Sequence, residues 1–430
     1  MTDPASGPEW TPPTSLAELR LPPTFVRDHG IRTLSYQGAM TPSEIATQWR
    51  VHSSIVLEVM EALKAAGLVQ LDGAQSNFER GRLRLTETGL ARVAAARQRT
   101  WYSGPLPVSL SDAARRAERG LSGVCSREAL RAALDALCIE HGIADELGQA
   151  IGGGATVWVT GADTDEQGEI AAALGRSLMG EVTLPYAIFA AGSILRVFDG
   201  RYHRAEDERI PLDGDLDVLR VRSEAEQWFT SRRPVVSLAG GVLAPDVLPA
   251  YDDDARFYVA PKPFAASGGL LAVLDSSTDL AALASLARLW LIPGRYATGI
   301  VLLRSGERLE VPWSAATVLF GEDPAVPEAV AAAVTYRVDV SALTGEPLQR
   351  YVAARLDPAV FSENAITAAC ALLEQSGCGT RRAAGLATRY LSNRAAYEGA
   401  AFTIKRSLLE QAIDAAERGS GAGRGAARAA

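Results

Sequence analysis

The stretch Ala155–Leu178, ATVWVTGADTDEQGEIAAALGRSL, decides the fold of the central part of the chain. Its first six residues are apolar or β-branched and predict a buried strand. A turn opens at Gly161, after which Ile170 and Leu174 recur at the spacing of one helix face. A strand, a glycine turn and a helix in this order are the geometry of a phosphate-binding loop.

The residues of this loop differ from those that bind a nucleotide. A functional loop follows G-x-x-x-x-G-K-[ST], whose backbone N–H groups surround the phosphates while the lysine and the hydroxyl serve the γ-phosphate and Mg²⁺. Here Gly161 keeps the first glycine, whereas the remaining motif positions hold Glu166, Gln167 and Gly168. A carboxylate in this place repels a triphosphate. We therefore expect the scaffold without its chemistry; a strand–turn–helix unit unrelated to nucleotides is the alternative.

Length and composition limit the class of protein. A chain of 430 residues predicts two or three domains, and 47% hydrophobic with 22% charged residues is typical of globular proteins. No apolar run approaches the about 20 residues of a membrane span, and no signal-peptide pattern is present. A net charge of -8 argues against a general nucleic-acid coat.

The cysteines and histidines show no zinc or disulfide pattern, and Asp199 and His203 are interpreted as turn residues. We expect a cytoplasmic protein without a metal.

The N-terminal third predicts a winged helix. Thr41 and Glu44 have the spacing of a capping box at the start of one helix, and a second helix, two short strands and a third helix follow. Residues 1–22 are rich in proline and predict a flexible arm. The alternative is that Leu19 and Leu21 dock on the folded part.

The wing carries the candidate contacts for DNA or for a protein partner, Arg80, Arg82 and Arg84. The candidate recognition helix instead carries Glu58 and Glu61, which repel the phosphate backbone. Alternating arginines are also typical of a solvated strand face. We therefore favour a winged helix that binds protein over one that binds DNA.

Three further stretches resemble a known family. They are TWYSGPLPVSL at 100–110, LPYAIFAAGSILRVFDGRYH at 184–203 and RRPVVSLAGG at 232–241. Together with the predicted winged helix they resemble bacterial AAA+ ATPases, MoxR-like in a broad sense, over roughly residues 30–415. The resemblance implies an α/β fold with an N-terminal winged helix-turn-helix, a central AAA+ P-loop-type parallel sheet flanked by helices, and a C-terminal helical lid.

By this resemblance the other nucleotide motifs are degenerate as well. Asp275 ends a buried strand where active members hold the metal, but Ser276 replaces the acid that polarises the attacking water. Glu322 and Asp323 replace a polar γ-phosphate sensor, and Arg337 is what is left of an arginine-finger run. Phosphoryl transfer depends on such positioned charges. We therefore expect a pseudo-ATPase that is not an enzyme and binds neither ATP nor Mg²⁺ productively.

The predicted domains are a flexible arm (1–22), a winged-helix domain (23–100), an extended linker with a short helix (101–125), a degenerate AAA+ core (126–345), a helical lid (346–417) and a disordered tail (418–430). In active lids the resemblance places a phosphate-contacting arginine near Arg381 and Arg382. It also implies assembly as a homo-oligomer or with an active paralogue. The expected function is a scaffold or regulatory subunit. The alternative is a winged-helix transcription regulator whose inactive ATPase module oligomerises or senses a ligand.

Overall fold

The structure is a computed structural model that describes residues 11–73, 77–117, 121, 123–204, 227–276, 278–322, 326–341, 343, 345–375, 380–399 and 406–419. In this part the chain is a mixed α/β protein with one all-parallel five-stranded sheet, a second five-stranded sheet and many helices. None of the described helices combines the length and the apolar character that crossing a membrane requires.

The first folded part, here called the N-terminal unit, has the predicted two helices, two strands and final helix, and before them a further helix that was not predicted. It consists of α1 (Pro23–Gln37), α2 (Pro42–Trp49), α3 (Ser53–Ala65), the antiparallel strands β1 (Val69–Leu71) and β2 (Leu83–Leu85), and α4 (Glu87–Arg99). The capping box predicted for Thr41 and Glu44 is confirmed at the start of α2. Trp49, Ile45 and Ile55 are fully buried in its core.

The segment before α1 packs onto this unit. Leu19 and Leu21 are only 2% and 5% exposed and belong to the same apolar cluster as the helices. Their burial removes apolar surface from water and thereby fixes the backbone around them. The prediction of a free arm over 1–22 is therefore corrected for the part around Leu19, whereas residues 1–10 lie outside the described residues.

The predicted linker, 101–125, contributes a strand to the second sheet. This sheet has the order β10 (Ala250–Asp252), β11 (Phe257–Val259), β7 (Ser193–Arg196), β6 (Ala187–Ala190), β3 (Val108–Ser109), and α5 (Leu110–Arg116) follows β3. The N–H of Leu106 donates to the carbonyl of Trp49 at 2.8 Å. Gln227 Nε2 donates to the carbonyls of Leu106 and Pro107, both at 3.0 Å. Because its backbone is bonded on both sides, this segment is an integral part of the fold.

The central sheet is parallel throughout. Its order is β16 (Tyr336–Asp339), β4 (Thr156–Thr160), β15 (Ala316–Phe320), β12 (Leu270–Val273), β9 (Val235–Leu238). One face is covered by α6 (Arg127–Asp135), α7 (His141–Gly152) and α8 (Thr164–Arg176). The other face packs against the second sheet and the helices after β12. Burial on both faces explains why the interior strands β4, β15 and β12 are almost continuously buried, whereas the edge strands β16 and β9 carry exposed residues.

The remaining elements surround these two sheets. They are the antiparallel strands β5 (Glu181–Pro185) and β8 (Trp228–Arg232), the short helices α9 (Ala244–Val247), α10 (Lys262–Ala265), α11 (Leu280–Leu286) and α12 (Ile292–Gly294), a π-helical turn (Ala287–Leu291), the hairpin β13 (Thr298–Leu302) and β14 (Arg308–Pro312), and α13 (Glu328–Ala333).

The last part, here called the C-terminal helical unit, has an apolar core of its own. It comprises α14 (Glu346–Arg355), α15 (Glu363–Gln375), α16 (Arg381–Glu398) and α17 (Arg406–Gly419). Leu348, Val352 and Ala384 are fully buried within it. A helical region was predicted for 346–417, and helices occupy it; of the predicted disordered tail, residues 420–430 lie outside the described residues.

Two histidines are buried as hydrogen-bonded core residues. His29 Nδ1 lies 3.3 Å from Arg32 Nη2, which can only donate, so Nε2 carries the proton and donates to the carbonyl of Gly104 at 3.1 Å. His203 Nδ1 accepts from the N–H of Asp199 at 3.0 Å, which confirms the turn interpretation. Burial lowers the pKa of His29 well below its ordinary value, and the charge of Arg32 lowers it further. Burial also lowers the pKa of His203.

These histidines predict a loss of stability in mild acid. Below about pH 6.5 the unfolded chain binds protons that the folded chain does not, so the free energy of unfolding falls as the pH falls. In urea titrations between pH 8 and 5, His29→Gln should reduce this slope by up to about 1.4 kcal/mol per pH unit. The wild type, titrated in the same buffers, is the control. An unaltered slope in His29→Gln would contradict the prediction.

Candidate functional site

The loop between β4 and α8 lies where open parallel sheets bind their ligands. β4 is an interior strand, with β15 on one side and β16 on the other, while β9, the next strand of this sheet along the chain, lies at the far edge. The connection from β4 to β9 runs towards one edge of the sheet, whereas the connection from its neighbour β15 passes β4 to reach β16 at the other edge. The carboxyl ends of β4 and β15 therefore flank a topological switch point. The N-terminus of α8 directly follows the carboxyl end of β4, and helix N-termini attract anions.

The start of α8 is capped by carboxylates of the chain itself. Asp163 Oδ1 accepts from the N–H of Glu166 at 2.9 Å, and Glu166 Oε2 lies 3.4 Å from the N–H of Asp163. These reciprocal bonds form a capping box. Two N–H groups that a phosphate-binding loop would direct at an anion are therefore bonded to side chains.

Glu166, at the motif's second glycine, joins the loop to the C-terminal helical unit. Its side chain is 4% exposed, and Oε1 lies 3.2 Å from Arg355 Nη2 and 3.4 Å from Arg381 Nη1. Arg355 is the last residue of α14, and Arg381 is the first residue of α16. The carboxylate thus bridges two helices that are separate in sequence from α8.

Arg381 is buried and fully engaged. Its side chain is 1% exposed. Besides Glu166, it donates to three backbone carbonyls: Nε to Val340 at 3.1 Å, Nη1 to Leu137 at 2.6 Å and Nη2 to Cys138 at 2.9 Å. The carbonyls satisfy its donors but do not balance its charge. The counter-charge comes from Glu166.

Helix α16 approaches the loop closely at a second point. Arg389 Nη2 lies 3.7 Å from Asp163 Oδ2. Gly385 lies over the same carboxylate, and a Cβ atom added there would be 2.8 Å from Asp163 Oδ2. A side chain at Gly385 would therefore displace either the Asp163 carboxylate or α16.

The predicted sensor positions are only partly described. Glu322 forms an ion pair with Arg382, in which the carboxylate is 74% exposed and the guanidinium is 39% exposed. Asp323 lies outside the described residues. Arg382, the second predicted lid arginine, is therefore paired with Glu322, a carboxylate of the core.

Gln167, at the motif's lysine position, connects the loop to β12. It is 8% exposed. Its Oε1 accepts from the N–H of Asp275 at 2.8 Å, and its Nε2 donates to the carbonyl of Ala162 at 3.4 Å. Asp275 has a φ of +56° and an exposed side chain, while Ser276 is buried and its N–H donates to the carbonyl of Phe320 at 2.7 Å. Of the two second-motif positions, Asp275 is thus bonded to the loop, whereas Ser276 is bonded to β15.

Burial sets the electrostatics of this cluster. Burial raises the pKa of Glu166, while a hydrogen bond from Tyr351 and the charge of Arg381 act in the opposite direction. The pKa of Tyr351 is likewise raised, first by burial and then by the neighbouring Glu166. Tyr351 therefore stays protonated and remains a donor.

The wing arginines are mostly held within the N-terminal unit. Arg82 forms an ion pair with Glu44 at 3.6 Å, and Arg84 forms one with Asp72 at 3.2 Å. Arg80 is exposed. Each paired arginine would have to exchange its carboxylate for a phosphate in order to contact DNA.

The candidate recognition helix, α3, is contacted by the segment before α1. Glu58 Oε2 accepts from the N–H of Leu16 at 2.9 Å, and Ser54 Oγ donates to the carbonyl of Thr14. This face of α3 therefore presents a backbone segment and acidic side chains. Of the cationic and amide groups that read base edges, α3 has only Lys64, whose Nζ lies 4.6 Å from the ring centroid of Phe78.

Sequence patterns identified part of this site. They indicated the loop positions and Asp275, and the family resemblance indicated Arg381 and Arg382. The structure joins Asp275 to Gln167 and Arg381 to Glu166, while Arg382 pairs with Glu322. The sequence patterns missed Arg355 and Arg389, which lie in helices without a motif. The acidic residues of the loop could have indicated that arginines lie nearby, because buried carboxylates need cationic partners.

No protein-family model matches the chain, and no curated protein matches it. The matching solved structures include a MarR family regulator from Neisseria meningitidis, which is 24% identical with a TM-score of 0.17. That match covers 19% of this chain and 57% of the regulator's chain. Likeness on this scale carries no argument about function. Among the described residues, no group of three or more His, Cys, Asp and Glu side chains could hold a metal ion.

Substitution of two glycines, Gly161 in the loop and Gly168 in helix α8, should have opposite effects on stability. Gly161 has a φ of +87°, and an added Cβ atom would lie 2.4 Å from the backbone nitrogen of Ser341. Gly161→Ala should therefore cost about 2–4 kcal/mol of unfolding free energy. In helix α8, a Cβ atom on Gly168 would come no closer than 3.9 Å to Leu274 Cδ1, so Gly168→Ala should add about 1 kcal/mol.

Chemical denaturation of both variants beside the wild type is the measurement. Equal effects of the two substitutions would show that the loop does not press against the segment at Ser341.

Proposed function

We propose that this chain is a catalytically inactive AAA+-like protein, a pseudo-ATPase that acts as a scaffold or regulatory subunit through assembly with other proteins. It would act either alone or with an active paralogue. One observation carries the proposal. The Glu166 carboxylate, at a position where the loop of an ATPase needs a glycine, is buried and paired with Arg355 and Arg381.

The donor set of the loop does not suit a triphosphate with Mg²⁺. Gln167 is uncharged, and its amide is engaged with the N–H of Asp275 at 2.8 Å. Gly168 has no hydroxyl for a metal, and Glu166 adds negative charge beside the phosphate position. Catalysis of phosphoryl transfer rests on electrostatic stabilisation of the transferred group. We therefore derive no catalytic step for this site.

The contacts that join the parallel sheet, the loop and the C-terminal helical unit support a role in assembly. The parallel sheet, the loop and the C-terminal helical unit are joined by side chains of the chain itself, so their relative positions do not depend on a nucleotide. A fixed arrangement of this kind suits a subunit that presents a constant surface. Interface backbones that change little on binding are typical of pre-organised complexes.

Nucleotide titration tests the proposal directly. We expect purified protein to bind neither fluorescent ATP nor fluorescent ADP up to about millimolar concentration, with or without Mg²⁺, because no loop lysine offsets the phosphate charge. We also expect no ATP hydrolysis above background. Mg²⁺-dependent turnover that Asp275→Ala abolishes would overturn the proposal.

The second candidate function is a winged-helix transcription regulator. The exposed Arg80 favours it, while the ion pairs of Arg82 and Arg84 and the acidic face of α3 oppose it. A regulator of this type would bind duplex DNA mainly through phosphate contacts, and its affinity would fall steeply with salt.

A binding assay on duplex DNA over a range of salt concentrations separates the two candidates. We expect no salt-sensitive binding, because α3 carries acidic side chains and two of the three wing arginines have a carboxylate of the protein beside them. Binding that weakens steeply with salt and is lost in the double variant Arg82→Ala, Arg84→Ala would decide for the regulator. Arg308→Ala, on the exposed side of β14, is the matched control for nonspecific charge.

A further inference from the structure

The junction between the parallel sheet and the C-terminal helical unit is organised around one side chain. We propose that Glu166 is a built-in substitute for an anionic ligand, and that its carboxylate fixes the C-terminal helical unit against the core with no ligand bound. The proposal rests on the proposed function, because a protein that had to admit a nucleotide could not keep this carboxylate in the loop.

Arg381 supplies the first argument. Its guanidinium is 1% exposed, and a buried charge without a partner is strongly unfavourable. The three carbonyls that accept its N–H groups are neutral. Helix α16 therefore begins with a buried cation that requires an anion, and Glu166 provides one from the other side of the junction.

Arg355 supplies the second argument. Its guanidinium lies 3.8 Å from the ring centroid of Tyr351, within the range of a cation–π contact, and is 25% exposed. It is paired with Glu166 at 3.2 Å and with Glu169 at 3.5 Å. Glu169 is 54% exposed and Glu166 is 4% exposed. Helix α8 thus places two carboxylates beside Arg355, the buried Glu166 and the exposed Glu169.

The other charged contacts across the junction, among them the ion pair of Arg382 with Glu322, are more exposed to water. Arg350 pairs with Asp135 at 2.8 Å, but both side chains are close to half exposed. Arg389 lies 3.7 Å from Asp163 and is 50% exposed. Exposed ion pairs add little to stability because water and salt screen them. The buried pair formed by Glu166 therefore dominates the electrostatic attachment of the C-terminal helical unit.

Hydrogen exchange on the full chain tests this attachment. In Glu166→Ala, amides of α14 and of the first half of α16 should exchange about tenfold faster than in the wild type, a factor that corresponds to ~1.4 kcal/mol of local opening. Glu169→Ala is the matched control, since it removes the exposed carboxylate that contacts the same arginine. Its exchange should stay within about twofold of the wild type.

Acetate is the probe for the anion role. It carries the two carbon atoms and the charge that Glu166→Ala removes, so acetate at constant ionic strength should slow exchange in this variant and leave Glu169→Ala and the wild type unchanged. Equal exchange in the two alanine variants, or no response of Glu166→Ala to acetate, would overturn the proposal.

A second variant covers a failure of Glu166→Ala to fold. Glu166→Gln keeps the size of the side chain and an oxygen for the N–H of Asp163 but removes the charge. It should accelerate exchange in α14 and α16 relative to Glu169→Gln, and equal rates would overturn the proposal. These measurements contain no nucleotide, so their outcome is independent of the test of the proposed function. ATP hydrolysis by the wild type would overturn the proposed function without any exchange measurement.

Discussion

The ion pair between Glu166 and Arg381 is the interaction on which the arrangement of the core and the C-terminal helical unit depends. Neither group is stable in its place without the other, because both are almost completely removed from water. The pair also selects one geometry, since Arg381 is bound at the same time to the carbonyls of Leu137, Cys138 and Val340. A shift of α16 along the sheet would break all four contacts together.

The same principle of internal replacement extends over the whole loop. Gly161 approaches the backbone at Ser341, Gln167 accepts from the N–H of Asp275, and Asp163 caps α8. Each of these residues makes a contact within the protein, at a position where a nucleotide-binding loop would face its ligand. The loop is therefore held by hydrogen bonds and close contacts within the protein.

Local features were predictable from the sequence, and long-range partners were not. The strand and helix around Gly161 and the capping box at Thr41 follow from patterns within a few residues, and both are present. Arg355 meets Glu166 across 189 positions of sequence, and no local pattern encodes that meeting. The segment near Val108 looked like a linker because a strand of two residues leaves no periodicity; its pairing with β6 depends on a partner far along the chain.

The position of the N-terminal unit follows from the same kind of contact. The rings of Phe25 and Phe189 lie 4.2 Å apart, and the guanidinium of Arg50 lies over the ring of Tyr186 at 4.6 Å. With the bond from Leu106 to the carbonyl of Trp49, these contacts tie the N-terminal unit to the second sheet, which packs on the central sheet. A partner that binds the N-terminal unit therefore meets a surface whose orientation to the core is set by packing.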